Sequence, residues 1–129
     1  MSVGLVIVSH GKTAESLVAE AEFVVGHELE RVKAIAFNHS EGHREELIMI
    51  HQAIEEADSG DGVLVLTDLI GASPSNRVSV LLEHFDAVMV TGANLAMLLC
   101  VWANRDMPLG QLTRKAVECG RRSVTIFQK

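Results

Sequence analysis

The stretch VGLVIVSHGK, residues 3–12, decides the class of fold, because an apolar run ends abruptly in polar residues. Residues 3–8 carry no polar side chain, which is typical of a strand buried on both faces of a parallel sheet. Ser9, His10 and Gly11 follow at once. A histidine therefore stands at the carboxyl end of a predicted strand, the end at which open α/β sheets bind their ligands.

Strands and helices alternate along the rest of the chain. Helical spacing of apolar residues, with Thr13 as a cap and Gly26 as a stop, predicts a first helix over residues 13–25. Further strands are predicted over residues 32–37, 63–67, 87–90 and 123–127, and further helices over residues 40–57, 74–84, 95–105 and 108–120. This order predicts an α/β fold, a doubly wound, mainly parallel sheet with helices on both faces. The last strand follows two helices, so it either lies antiparallel at an edge or pairs with another subunit.

Composition narrows the class of protein. The 129 residues suffice for a single domain over residues 1–129, and 48% of them are hydrophobic. A formal net charge of -6 argues against nucleic acid as a partner. The sequence has no signal-peptide pattern and no apolar stretch as long as a membrane helix, so we expect a cytoplasmic protein. Cys100 and Cys119 form no C-x-x-C pair, and we expect both to be reduced residues of the core.

Polar residues follow three of the predicted strands. His10 and Asp68 face each other if the first and third strands are neighbours. A carboxylate that accepts the Nδ1 proton of a histidine fixes its tautomer and leaves a lone pair on Nε2, as a nucleophile requires. Gly71, Ala72 and Ser73 lead into the next helix, whose first N–H groups attract anions. The combination indicates a histidine that carries a phosphoryl group.

These residues resemble the mannose-type enzyme IIA domain of the bacterial phosphoenolpyruvate-dependent phosphotransferase system. The family pattern reads Ser or Thr followed by H-G, then D-x-x-G-G-S-P-x-N, then G-x-N-x-x-M-L. This chain has SHG, DLIGASPSN and GANLAML in the same order, and the spacing agrees along essentially its whole length. Each motif is weak alone, and the three in order are specific.

The resemblance implies a sheet of strand order 2-1-3-4 and a homodimer in which antiparallel C-terminal strands are exchanged. It implies that His10 accepts a phosphoryl group on Nε2 from phospho-HPr and passes it to a IIB subunit on a separate chain. The protein would then be a transferase with a phosphohistidine intermediate. No metal or other cofactor is implied, and the protein would reach the membrane only indirectly, through the IIC and IID subunits.

The resemblance also assigns roles to the other site residues. Asp68 matches the aspartate that orients the histidine, and Ser73 matches the residue that helps to hold the phosphoryl group. Gly71 and Ala72 belong to the same phosphoryl-binding loop. Three further residues match positions near the site: Ser9, Gly11 and Asn94.

Two departures from the family pattern stand out. Ala72 takes the place of a second glycine. An alanine is tolerated at this position if its φ is negative. The sequence ends at Lys129, whereas many relatives continue into a IIB domain. We therefore expect the acceptor on another protein, with a role in either sugar transport or regulation.

Three other readings stay open at this stage. A histidine phosphatase also has a strand that ends in histidine, but its pattern is R-H-G and Ser9 replaces the arginine. A flavodoxin-like binding module and a purely structural interaction domain are the others. Leu69, Ile70 and Met97 either form an apolar rim around His10 or belong to the core.

The remaining histidines offer a weak metal pattern. His39, His43 and His51 are spaced at four and eight residues, but Ser40 is expected to cap the helix and breaks the register. No cysteine completes a ligand set. We therefore expect no metal site.

Overall fold

The helices and strands follow the predicted alternation. The computed structural model describes residues 2–37, 42–69 and 73–128. Its strands are β1 (Gly4–His10), β2 (Val32–Phe37), β3 (Val63–Thr67) and β4 (Ala87–Thr91). Its helices are α1 (Thr13–Val25), α2 (His43–Ala57), α3 (Ser73–Leu81), α4 (Leu95–Ala103) and α5 (Leu109–Arg122), with a short 3₁₀ turn over Leu82–His84. Among these helices, none is both long and apolar enough to cross a membrane.

The sheet is parallel and has the order β2-β1-β3-β4. This confirms the α/β class and the strand order that the resemblance implied. β1 pairs with β2 on one side and with β3 on the other, so the strand order reverses between β1 and β3. The carboxyl ends of these two strands flank the crevice in which such sheets bind ligands.

Two apolar layers hold the helices against the sheet. Alternate residues of β1 point to opposite faces, as the period of a strand requires. Leu5 and Ile7 pack with buried residues of α1, α4 and α5, whereas Val6 and Val8 pack with buried residues of α2 and α3. Both faces of the sheet are therefore covered, which explains why its strands read as continuous apolar runs.

Gly4 lies where β1 passes closest to the end of α2. A Cβ atom at this position would overlap the carbonyl oxygen of Ala57 and lie 2.7 Å from its carbonyl carbon. We expect Gly4→Ala to lower the free energy of unfolding by about 1–3 kcal/mol, because backbone must move to admit the methyl group. Urea denaturation measures the change.

Gly110 provides the matched control for that substitution. It lies in the first turn of α5, and a Cβ atom there has open space around it. Gly110→Ala should leave stability unchanged or raise it slightly, since alanine has the higher helix propensity. Equal effects of the two substitutions would contradict the close approach at Gly4.

The ends of several elements differ from the predictions. β1 runs through Ser9 and His10 because His10 pairs with Phe37 of β2. Lys12, not Thr13, is the N-cap of α1, and Gly26 closes that helix in a left-handed conformation as predicted. Ser40, the predicted cap of α2, lies outside the described residues.

The predicted strand over residues 123–127 is wrong for the single chain. Residues 124–128 have no regular secondary structure. Val124, Ile126 and Phe127 are 79%, 84% and 88% exposed, although residues 123–127 are rich in the β-branched and aromatic residues typical of strands. A strand needs a neighbour to satisfy its backbone groups, and within the described chain these residues have none.

The expectation of two reduced cysteines is also wrong, because Cys100 and Cys119 form a disulfide. Cys100 lies in α4 and Cys119 in α5, and their Cα atoms are 6.5 Å apart. The two residues are 19 positions apart in the chain. Their meeting depends on how α4 packs on α5, which sequence spacing does not reveal.

Candidate functional site

His10 ends β1 at the crevice between β1 and β3. Gly11 follows it with a φ of 48°, in the left-handed region that suits glycine. The N–H of Gly11 donates to the carbonyl oxygen of Phe37 at 2.9 Å, so β2 fixes the turn. The chain then enters α1, which leaves the histidine at the rim of the sheet.

Asp68 contacts His10 twice through one carboxylate oxygen. Oδ2 lies 2.9 Å from Nδ1 of the His10 ring and accepts the backbone N–H of His10 at 3.1 Å. The other oxygen, Oδ1, accepts the N–H of Leu69 at 3.0 Å. The structure thus brings together the histidine and the carboxylate that the sequence placed after two neighbouring strands.

This contact selects one tautomer of His10. An ionised carboxylate has no proton to donate, so Nδ1 must donate to Asp68. In a neutral ring that carries its proton on Nδ1, Nε2 has the lone pair. The arrangement suits a histidine that attacks an electrophile through Nε2, with Asp68 beside the positive charge that forms on the ring.

The pKa of Asp68 is lower than that of an ordinary aspartate. Burial of the carboxyl group acts in the opposite direction and raises it. The hydrogen bond from the His10 ring, the N–H donors of His10 and Leu69 and the charge of His10 outweigh burial. Asp68 is therefore ionised at neutral pH, so its carboxylate has no proton to donate to the ring and accepts from Nδ1–H.

We expect His10→Ala to raise the pKa of Asp68 while leaving the two backbone N–H donors in place. A carboxyl-carbon NMR titration of both proteins measures the difference. Because the folded pKa lies below the unfolded one, ionised Asp68 stabilises the fold above pH 3.8. That stabilisation is lost as the pH falls through the folded pKa. An unchanged titration in the variant would show that the ring does not act on the carboxylate.

Ser9 is buried next to His10 and forms hydrogen bonds to both α1 and His10. It is only 1% exposed, and its hydroxyl oxygen accepts the N–H of Ala14 at 2.6 Å while its hydroxyl group donates to the carbonyl oxygen of His10 at 3.2 Å. Ala14 is the second residue of α1, so Ser9 supplies the cap that Lys12 lacks. The sequence placed Ser9 near the site but did not reveal that it joins the start of α1 to the histidine.

The histidine is accessible from solution. The His10 side chain is 35% exposed and that of Asp68 is 18% exposed. Leu69 is 60% exposed and suits the predicted apolar rim, whereas Met97 is buried in the core. Ile70, the third candidate for the rim, lies outside the described residues.

Asn94 forms hydrogen bonds to both α4 and α5. Its Oδ1 atom accepts the N–H of Met97 at 2.9 Å, which caps α4, and its Nδ2 atom donates to the carbonyl oxygen of Gly120 at 3.2 Å. The N–H of the preceding residue, Ala93, donates to the carbonyl oxygen of Thr67 at 2.8 Å. The β4–α4 turn is therefore tied to the end of β3, one residue before Asp68.

The loop that the sequence predicts to bind the phosphoryl group is described only in part. Gly71 and Ala72 lie outside the described residues, and Ser73 is the first residue of α3. Elsewhere in the described chain, no group of three or more His, Cys, Asp or Glu side chains is placed to hold a metal ion. His39 lies outside the described residues, and the ring of His51 contacts Phe85 and Glu55.

A family model described as "PTS system fructose IIA component", EIIA-man, matches residues 4–117. The chain belongs to this family of phosphotransferase-system IIA components. The match covers β1 to β4 and most of α5, and it includes His10 and Asp68. Membership of this family confirms the resemblance seen in the sequence motifs.

Individual relatives agree with that assignment. The chain is 35% identical over 129 residues to the PTS system mannose-specific EIIAB component of Escherichia coli strain K12. That alignment covers 96% of this chain but only 39% of the relative. The mannose/sorbose specific IIA subunit from Enterococcus faecalis has a TM-score of 0.89 at 25% identity, covering 100% of this chain and 97% of that one. A PTS IIA protein associated with the fucose utilization operon of Streptococcus pneumoniae has a TM-score of 0.83 at 29% identity, covering 98% and 96%.

Proposed function

We propose that the protein is a phosphoryl carrier in which Nε2 of His10 accepts and donates the phosphoryl group. The contact between Nδ1 of His10 and Asp68 is the observation that carries the proposal. It holds the ring in the tautomer that a nucleophilic Nε2 needs, in a chain that belongs to a phosphotransferase family. Residues 1–129 would act as one IIA domain.

The transfer itself needs positioning more than covalent chemistry. The bond between phosphorus and the donor nitrogen breaks as the bond to Nε2 forms, and the donor nitrogen keeps the electron pair. The ring of His10 gains positive charge while Nδ1–H stays hydrogen-bonded to Asp68. The reverse sequence hands the group to an acceptor. Neither step requires a metal ion or another cofactor.

The oxygens of the phosphoryl group need donors, and we propose Gly71, Ala72 and Ser73 for that role. Ser73 begins α3, a helix of nine residues, five positions after Asp68. The first N–H groups of a helix lack intrahelical partners and favour an anion. Ser73 contributes its own N–H and hydroxyl in this proposal, as the family pattern implies.

The proposed donor is phospho-HPr and the proposed acceptor is a IIB subunit on a separate chain. Both must bring a reacting atom to His10, and the partial exposure of the ring permits that approach. The acceptor would connect the protein to IIC and IID subunits in the membrane, while this chain stays in the cytoplasm. Leu69 offers apolar area for either partner beside the histidine.

The direct test mixes the purified protein with phosphoenolpyruvate, enzyme I and HPr and follows its intact mass. We expect a gain of one phosphoryl group that is stable in alkali, lost in acid and mapped to His10. Release of inorganic phosphate without a stable phosphoprotein would favour the phosphatase reading instead. An unmodified mass beside phosphorylated HPr would refute the carrier proposal.

We also propose that two copies associate by exchanging residues 123–128. Two observations support this: the side chains of Val124, Ile126 and Phe127 are apolar and exposed, and β4 is the edge strand of the sheet. Sedimentation should show a dimer that dissociates in Phe127→Asp. Val80→Asp, at an apolar residue of α3 that is 55% exposed, is the control and should stay dimeric. A dimer that survives Phe127→Asp would contradict the exchange.

A further inference from the structure

The disulfide between Cys100 and Cys119 lies beside the hydrogen bond that joins α5 to the turn between β4 and α4. Cys119 immediately precedes Gly120, whose carbonyl oxygen accepts Nδ2 of Asn94 at 3.2 Å. Asn94 caps α4, the helix that contains Cys100. One covalent bond and one hydrogen bond therefore join α4 to α5 at adjacent positions of α5.

These contacts continue to the catalytic pair. Asn94 follows Ala93, and the N–H of Ala93 donates to the carbonyl oxygen of Thr67. Asp68 is the next residue and contacts His10. Cys119 and Asp68 are therefore joined by two hydrogen bonds, Asn94 to Gly120 and Ala93 to Thr67, and by the peptide bonds between neighbouring residues of the chain.

The close approach of the two helices makes the restraint effective. A Cβ atom at Gly120 would lie 2.5 Å from Cε of Met97 and 3.8 Å from Nδ2 of Asn94. The absence of a side chain there lets α5 approach the first turn of α4. A small movement of α5 would break the hydrogen bond between Asn94 and Gly120, because its length of 3.2 Å is already at the long end of the usual range.

The disulfide is partly exposed, and it is not the only contact that holds α4 against α5. Cys100 and Cys119 are each partly exposed, so a small thiol or disulfide can reach them. The helices are also held by buried apolar side chains of α4 and α5 in one shared core: Met97, Leu98, Val101, Leu112 and Ala116. Reduction would therefore remove a clamp without removing the packing that positions the helices.

We propose that Cys100 and Cys119 form a reversible thiol–disulfide site that clamps α5 to α4 and so fixes the β4–α4 turn beside Asp68. One cysteine thiolate attacks a low-molecular-weight disulfide and releases one of its thiols. The second cysteine thiolate then attacks the mixed disulfide and releases the other thiol. Two protein thiols and one disulfide give one protein disulfide and two small thiols, so atoms and electrons balance.

The first experiment measures the chemistry on the isolated protein, without any phosphoryl donor. Reduced protein is treated with oxidised glutathione, alkylated and weighed, and then treated again with dithiothreitol. We expect both thiols to be lost together within one chain and both to be restored by the reductant. Three results would each overturn the proposal: thiols that still react with the alkylating reagent after oxidation, a disulfide between two chains, or a bond that dithiothreitol does not reduce.

The second experiment measures the clamp by amide hydrogen exchange. The reporters are the N–H groups of Ala93 and Met97, which donate to Thr67 and Asn94. We expect exchange at both to slow about threefold or more on oxidation, as local opening becomes rarer. The N–H of Asp58, at the end of α2 on the opposite face of the sheet, is the internal control and should not respond.

The double variant Cys100→Ser with Cys119→Ser completes the design. Its exchange rates at Ala93 and Met97 should match those of the reduced protein and should not change with oxidised glutathione. Equal exchange rates in oxidised and reduced wild-type protein would show that the disulfide clamps nothing at the turn. Both readouts are independent of the proposed carrier function, so failure of either proposal leaves the other standing.

Discussion

The His10→Ala variant should take up no phosphoryl group from phospho-HPr. The proposed nucleophile is a single nitrogen, and alanine has no atom that can replace it. We therefore expect no gain in mass by His10→Ala under conditions that fully phosphorylate the wild-type protein. Rapid-quench sampling with intact-mass detection follows the uptake directly.

The substitution should leave the fold intact, because the ring is partly exposed and lies at the end of β1 rather than in a core layer. Circular dichroism and thermal unfolding check this. His84→Ala is the matched control, since His84 is an exposed histidine in the turn after α3. It should accept the phosphoryl group at the wild-type rate. Normal uptake by His10→Ala, with loss in another histidine variant, would move the carrier to a different residue.

The sequence predicted the sheet well because the relevant signals are local. The apolar runs of β1 and β3 are continuous, and turn residues bound each of them. β2 and β3 have the predicted bounds, Val32–Phe37 and Val63–Thr67. The contact between His10 and Asp68 could also be predicted, since it needs only that β1 and β3 be neighbours and that both residues lie at the carboxyl ends of these strands.

Other features depend on contacts between distant parts of the chain. The disulfide requires the packing of α4 on α5, and no local pattern encodes the 6.5 Å between the Cα atoms of Cys100 and Cys119. The capping role of Ser9 was missed because its acceptor atom reaches Ala14 across a tight turn at Gly11. Residues 123–127 have the composition of a strand, but composition does not supply a neighbouring strand.

Substitutions at Asp68 should separate the orientation of His10 from the charge beside it. Asp68→Asn retains an oxygen that can accept from both Nδ1 and the backbone N–H of His10. Its amide group then faces the N–H of Leu69, a solvent-exposed donor that water can satisfy. Orientation survives in this variant, and the losses are the negative charge and the hydrogen bond from the N–H of Leu69. We expect phosphorylation to slow about 10- to 100-fold, the range seen when the carboxylate partner of a metal-bound histidine is replaced.

Asp68→Ala removes the charge and both hydrogen bonds to His10, and the ring can then adopt either tautomer. We expect a loss of about 10³-fold, clearly larger than that of Asp68→Asn, from rapid-quench rates at saturating phospho-HPr. Glu56→Gln, at an exposed carboxylate whose ion pair with Lys33 spans 3.2 Å, is the control and should transfer at the wild-type rate. Equal losses in the two Asp68 variants would assign the whole effect to charge. Because the hydrogen bond at 2.9 Å holds Nδ1 as the donor, we expect orientation to account for the difference between them.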